Sequence, residues 1–252
     1  MKRKQIDINC DLGEGLGNEK YLLPLISRCN IACGGHAGDE KTLNEVLLMA
    51  KQYGVIVGAH PSYPDRKNFG RKVLDISQQE LTQSLVAQLQ VFQNAATRHA
   101  LETGHVKPHG ALYNEAAVNP EVAETVIRAV KEVYGNQIAI VAPWGSVLAF
   151  IAKIAGLPIW FEAFADRNYR EDLSLVPRSE PNALITAPQA VVKHLLHVLE
   201  TGKVVAVNQT LCDIKADTFC IHGDTPNVIQ ILNFVHSTLP KYGWNISHQN
   251  TR

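Results

Sequence analysis

The order of patterns along the chain predicts an α/β protein of parallel strands joined by crossover helices, either closed as a β/α barrel or open as a doubly wound sheet. Three observations carry this reading. Short apolar runs alternate with longer stretches of helical period from end to end, about seven of the runs read as strands, and strand after strand ends in a compact group of titratable or amide side chains.

The first strand lies in "QIDINCDLG" and the second in "LLPLISRCNIACGGH", followed by the helical "KTLNEVLLMAKQYG". The third strand is "VIVGAHPSYPD". A long helix follows, because Ser77 three residues before Glu80 is the signature of a capping box and Leu81, Leu85, Leu89 and Phe92 then keep one helical face apolar. "HVKPHGAL" gives the fourth strand, with Pro108 holding Lys107 extended and Gly110 allowing the turn that follows. After the helix "NPEVAETVIRAVKEVYG" come the strand "QIAIVAP", the helix "SVLAFIAKIAGL" and the strand "PIWFEAFADRNY". The polar stretch "RNYREDLSLVPRSEPNALIT" reads as a long loop covering a site. The helix "APQAVVKHLLHVLETG" stops at Gly202, "TFCIHGD" is the last strand, and "TPNVIQILNFVHSTLPKYG" is the last helix. Residues 1–252 are expected to form one catalytic domain, with no internal repeat or low-complexity tract.

Composition excludes several function classes. Lys plus Arg and Asp plus Glu both total 24, so no net field draws the chain to nucleic acid or to an anionic membrane. The basic start "MKRKQIDINCD" meets Asp7, Asn9 and Asp11 where a leader peptide needs an apolar stretch, and no later segment is apolar enough to span a bilayer; a cytoplasmic protein is expected. The five cysteines, at 10, 29, 33, 212 and 220, form no CxxC pair and read as reduced, structural thiols. No GxSxG elbow, P-loop or complete dinucleotide-binding fingerprint is present.

The chemistry collects at the strand ends. Asn9, Asp11 and Glu14 follow the first strand; Asn30, His36 and Asp39 the second; His60 and Asp65 the third; Lys107 and His109 the fourth; Glu162, Asp166 and Arg167 the sixth; His222 and Asp224 the last. In a parallel β/α fold all these ends open on one face, so separate clusters in sequence become one cluster in space. Gly34 and Gly35 of "NIACGGHAGD" allow close backbone approach to a ligand. His36, His60, His109 and His222, together with Asp11 or Asp224, could ligate a divalent metal, with His36, His60 and His222 the foremost candidates, although dispersed histidines serve at least as often as proton shuttles.

At "DINCDLGEGLG", "NIACGGHAGD", "GAHPSYPDRKNFGR", "VKPHGALYN", "EAFADRNY" and "CIHGDTPN" the chain closely resembles the LamB/YcsF family of 5-oxoprolinase A subunits, nearly end to end and in the family's order. The resemblance implies a seven-stranded β/α barrel similar to the glycoside hydrolase/deacetylase fold. It also implies a part in the ATP-dependent opening of 5-oxoproline (pyroglutamate) to L-glutamate, with two further subunits, of B and C type, completing the enzyme. ATP is then a co-substrate, bound here or by a partner, and Mg²⁺ is expected with it. On this reading Asp11, Glu14, Lys107, His109, Glu162 and Asp166 are the catalytic candidates, with Asp11 or Glu14 acting on water, Lys107 stabilising negative charge and His109 delivering a proton. Asn9, Asn30, Gly35, His60, Arg167, His222 and Asp224 are the substrate-binding candidates, with Arg167 gripping the substrate carboxylate. Two rival readings stay open: a stand-alone metal-dependent amidase or deacetylase, and a non-catalytic carbohydrate- or lactam-binding protein. Self-association is left open as well.

Overall fold

The computed structural model describes residues 4–247; the basic start at residues 1–3 and His248 lie outside them. In chain order the elements are β1 (Lys4–Ile6), β2 (Ile8–Leu12), α1 (Glu19–Leu22), β3 (Arg28–Ala32), α2 (Glu40–Tyr53), β4 (Ile56–His60) and α3 (Gln78–Arg98). Then come β5 (Thr103–Val106), α4 (Gly110–Val118), α5 (Pro120–Tyr134), β6 (Ala139–Pro143), α6 (Val147–Ile154) and β7 (Ile159–Phe164). The chain ends with α7 (Pro188–Thr201), β8 (Lys203–Val205), β9 (Leu211–Asp213), β10 (Thr218–Cys220), α8 (Val228–Thr238) and β11 (Trp244–Ile246).

Seven strands close into a barrel in the order β10, β2, β3, β4, β5, β6, β7, with every neighbouring pair parallel. This settles the choice between barrel and open sheet. The capping box expected at Ser77 and Glu80 is formed, and Gly202 ends α7 in the left-handed conformation. Two short pairs were not anticipated: β1 with β11, parallel, and β8 with β9, antiparallel. A further difference is α4, which begins at Gly110 and precedes the expected helix α5 as an element of its own. Among the described residues no helix is long and apolar enough to cross a membrane.

Period-two alternation divides the barrel strands into an apolar outer face and a polar lumen. Ile8, Cys10, Leu12, Cys29, Ile31, Val57, Ala59 and Val106 belong to the apolar cluster that packs the helices onto the barrel. The intervening residues turn inward, and among them Asn9, Asp11, Arg28, Asn30, His105, Lys107, Glu162 and Thr218 are all buried. At the lower end of the lumen Arg28 makes a two-point pair with Asp7, at 2.7 and 3.0 Å, and its guanidinium lies over Trp160. Above it, His105 Nε2 meets Asn30 Oδ1 at 2.6 Å. The His105 ring has room because β4 carries a glycine beside it: a Cβ on Gly58 would come within 2.3 Å of Nε2. Each of these lumen groups is thus partnered inside the barrel, the condition on which buried polar groups are tolerated.

Candidate active site

The polar lumen rises to a cavity of about 670 Å³ at the C-terminal ends of the strands, within the usual range for a small-molecule site. Its floor is an ion triad. Lys107, one residue beyond β5, puts Nζ 3.0 Å from Asp11 Oδ1 and 2.8 Å from Glu162 Oε1, with Cys220 Sγ 3.3 Å away. Asn30 donates to both Asp11, at 2.7 Å, and Asn9; Asn9 in turn donates to Glu162 at 2.9 Å; and the Tyr113 hydroxyl donates to the other Glu162 oxygen at 2.8 Å. The "VKPHGALYN" segment is therefore the hub of the floor: strand β5 aims Lys107 and the first turn of α4 aims Tyr113.

Burial alone would neutralise Lys107 and Asp11, and their mutual attraction prevents it. Against the cost of burial, the carboxylates of Asp11 and Glu162 hold Lys107 well above the ordinary lysine range. Against the same cost, His60 and Lys107 hold the Asp11 carboxyl well below the carboxylate range. Asp11 is consequently an ionised hydrogen-bond acceptor and a weak base. The thiols play no ionised part, since burial pushes Cys33 up to about 12 and holds Cys10 and Cys220 well above the free value.

Beside the triad stands a His–Asp pair, with a His222 ring nitrogen within 4.8 Å of the Asp11 carboxylate and of Cys220 Sγ. The fully buried Asp166 accepts from the backbone N–H of His222 at 2.8 Å, from its Nδ1 at 3.0 Å and from the Thr225 hydroxyl. A carboxylate can only accept, so Nδ1 carries the proton and Nε2 presents its lone pair to the cavity, with no hydrogen-bond partner among the described residues. The His222 ring is stacked on Phe164, which fixes its plane. Burial would raise the Asp166 carboxyl, but His222 and these hydrogen bonds pull it down to about 2. A depressed folded-state value means stabilisation that is complete above the unfolded value, near about 3.9, and lost as pH falls through about 2. Asp166→Asn is therefore expected to cost about 2 kcal/mol of unfolding free energy at neutral pH. In urea titrations its difference from the wild type should shrink as pH falls from about 4 towards 2.

The mouth is basic and bridged. Asp224 pairs with Arg71 at 2.7 Å and with Arg178 through both carboxylate oxygens at 3.0 and 3.1 Å, tying the loops after β4, β7 and β10 together, and Lys72 stands beside them.

The strand-end groups expected at one face do converge there. Asp11, Glu14, His60, Lys107, His109, Arg167, His222 and Asp224 all line the cavity. The other expected residues stand behind its wall. Asn9, Asn30 and Glu162 hold the floor from within the lumen, and Asp166 stands behind His222, so neither Glu162 nor Asp166 lines the cavity. Gly35 packs where a Cβ would come within 2.4 Å of Ser62 Oγ and of the Gln88 amide; its lack of a side chain serves close packing there, not ligand approach. Two expected roles need correction. Arg167 spends Nε on the Ala183 carbonyl and one Nη2 hydrogen on that of Val176, so its Nε–Nη2 edge is taken and only the Nη1 side is left for a substrate carboxylate. His109 has both ring nitrogens engaged, Nε2 with the Phe69 carbonyl and Nδ1 facing His60 and Glu14, so it is badly placed to deliver a proton.

Among the described residues potential metal ligands fall into two groups, Glu14 with His36, His60 and His109, and Asp11 with Cys220 and His222. His36, His60 and His222, expected as one set, therefore divide between the two. Sequence reasoning missed Arg71, Lys72 and Arg178, although "DRKNFGRK" and "VPRS" carry these cations in loops directly after strands.

A closed barrel of parallel strands, with an ion triad at its floor and an oriented imidazole on its wall, is a β/α-barrel enzyme equipped for acid–base chemistry on a small polar molecule. Residues 6–252 match the LamB/YcsF family model, and the chain belongs to that family. The A subunit of the 5-oxoprolinase of Neisseria meningitidis serogroup C is 41% identical over 244 residues, 97% of this chain and 99% of the relative. That of Staphylococcus aureus (strain JH9) is 39% identical over 247 residues, covering 96% and 98%. The crystal structure of the lactam utilization protein of Thermus thermophilus superimposes with a TM-score of 0.89 at 34% identity, over 97% of this chain and 99% of that one.

Proposed function

We propose that this chain is the lactam-opening subunit of an ATP-dependent 5-oxoprolinase, in which residues 1–252 act as one domain with B- and C-type partners in the cytoplasm, where ATP is available. The observation that carries the reading is the buried Asp11–Lys107–Glu162 triad beneath a cavity with an oriented His222 Nε2 turned into it from the wall. The near full-length likeness to 5-oxoprolinase A subunits supports the substrate.

A five-membered lactam is a resonance-stabilised amide with a poorly electrophilic carbonyl. Transfer of the ATP γ-phosphoryl group to the carbonyl oxygen, with Mg²⁺ on a partner, removes that resonance and releases ADP. In this chain, Asp11 orients a water against the activated carbon while His222 Nε2 takes its proton, and Asp166 steadies the imidazolium so formed. Lys107 neutralises the negative charge that gathers on the oxygens. The adduct carries a hydroxyl, a phosphoryloxy group and the ring nitrogen on one carbon. If His222 returns the proton to nitrogen, the C–N bond breaks and γ-glutamyl phosphate results, which a second water converts to glutamate and phosphate. The bridged cations Arg71 and Arg178, with Lys72, supply the positive field that draws an anionic substrate to the mouth.

The test is glutamate release from 5-oxoproline by the chain alone and with its two partners, with and without ATP. Release only from the complete mixture containing ATP is expected. Release by the chain alone without ATP would instead indicate an amidase, and binding without turnover in an assembled mixture a carrier.

A further inference from the structure

Beside Asp11, four side chains from four consecutive strand ends converge on one point: Glu14 after β2, His36 after β3, His60 at the end of β4 and His109 after β5. His36, His60 and His109 are all buried, and the Glu14 side chain is only 4% exposed. His60 Nε2 lies 3.0 Å from His109 Nδ1, and Glu14 Oε1 lies 3.0 Å from His36 Nε2, 3.4 Å from His109 Nδ1 and 4.0 Å from His60 Nε2. The edge of a tetrahedron of nitrogen and oxygen ligands about 2.0–2.1 Å from a zinc-like ion is about 3.3 Å.

The outer hydrogen bonds fix which nitrogens face inward. His60 Nδ1 is 2.7 Å from the Lys107 carbonyl and His109 Nε2 is 3.0 Å from the Phe69 carbonyl. A carbonyl oxygen only accepts, so each outer nitrogen bears the hydrogen and each neutral ring turns a lone pair inward. With both rings neutral, two imidazole lone pairs face each other at 3.0 Å with a carboxylate oxygen beside them, an arrangement that calls for a proton or a metal ion between them. Such an array of acceptors is repulsive unless a cation sits among them. Histidine ligands held by carbonyls through their second nitrogen are the usual support of a metal site. His36, stacked face to face on His109 with ring centroids 3.6 Å apart, completes the fourth corner.

We infer that Glu14, His36, His60 and His109 bind one divalent transition-metal ion of the zinc class, with His60, His109 and Glu14 as the principal ligands. The inference deepens the reading of the same cavity but rests on ligand geometry alone, so it can fail while the ATP-dependent lactam reading stands, and the reverse. Glu14, His60 and His109 line the cavity, so a bound ion would offer Lewis acidity to an oxygen of the substrate.

The chain, stripped with a chelator, should be titrated with Co²⁺ and read by its visible absorption, then with Zn²⁺ in competition. One equivalent of Co²⁺ with the intense bands of a four-coordinate site, displaced by Zn²⁺, is expected. Zn²⁺ should also raise the thermal midpoint of the stripped chain. Glu14→Gln and His109→Gln should each weaken uptake at least about 100-fold, beyond the loss typical of changing an outer-shell partner. His222→Gln should retain it, because His222 belongs to the other ligand group. Should one ligand variant fail to fold, the other reads the same site. Failure of the wild type to take up either ion at micromolar concentration would overturn the inference and assign a shared proton to the histidine pair. Uptake that survives both ligand variants, or is lost in His222→Gln, would overturn it as well.

Discussion

Replacing Lys107 with Met is expected to lower glutamate formation by the assembled enzyme about 10³-fold, the upper range for loss of one preorganised charge stabiliser. The same change should reduce the unfolding free energy by about 3–5 kcal/mol. Both effects have one origin. The Lys107 ammonium is the common partner of two buried carboxylates, Asp11 at 3.0 Å and Glu162 at 2.8 Å, and methionine fills its volume without its charge. Two carboxylates are then left facing each other in a closed lumen, and at least one must take up a proton to persist. Asp11 would lose the charge with which it orients water, and the developing oxyanion would lose its cation. Urea titration gives the stability loss, and turnover corrected for the folded fraction gives the catalytic loss. Turnover within a few-fold of wild type would remove Lys107 from the chemistry and leave it a structural ion pair.

His222→Gln should uncouple ATP use from glutamate formation. When the hydrated, phosphorylated lactam collapses, it expels either the ring nitrogen or phosphate. Amine expulsion needs a proton on nitrogen, whereas phosphate leaves without one and regenerates 5-oxoproline. His222 is the group that biases the choice, since Asp166 holds its Nδ1 and leaves Nε2 turned towards the cavity. Without it, 5-oxoproline-dependent ATP hydrolysis should slow, because water addition loses its base, and glutamate should fall further, by about 10²–10⁴-fold, the usual worth of a positioned acid or base, because the adduct that still forms expels phosphate. The ratio of phosphate to glutamate is the readout, and it distinguishes proton delivery from a packing defect, which would lower both products together. A ratio unchanged from wild type would exclude His222 as the proton carrier.

The parallel α/β class was legible in the sequence because alternation of short apolar runs with helical periods leaves only a barrel or an open sheet, between which the family resemblance alone pointed to the barrel, and in either the polar strand ends had to share one face. The lumen was not. Arg28, His105 and Thr218 sit within strands of three to five residues, where an inward position cannot be told from an outward one until the barrel closes. His109, expected to deliver a proton, and His222, expected to bind substrate, both stand just beyond a strand, and position in sequence does not show which ring keeps a nitrogen without a partner. What separates them is Asp166, 56 residues away from His222, and the Phe69 carbonyl, 40 residues from His109. The mouth was hidden for the same reason: Arg71 and Asp224 are 153 residues apart and meet only through the fold. The pairs β1 with β11 and β8 with β9 are three-residue strands without a periodic signal.

The most direct test of whether the lactam opens in this chain is to titrate it into its two partners and measure glutamate formed per ADP. If it does, the partners alone should give no glutamate, and each increment of this chain should raise the ratio until it reaches about one glutamate per ADP. Glutamate release at full yield from the partners without this chain, or an assembled mixture in which the ratio never rises, would contradict it.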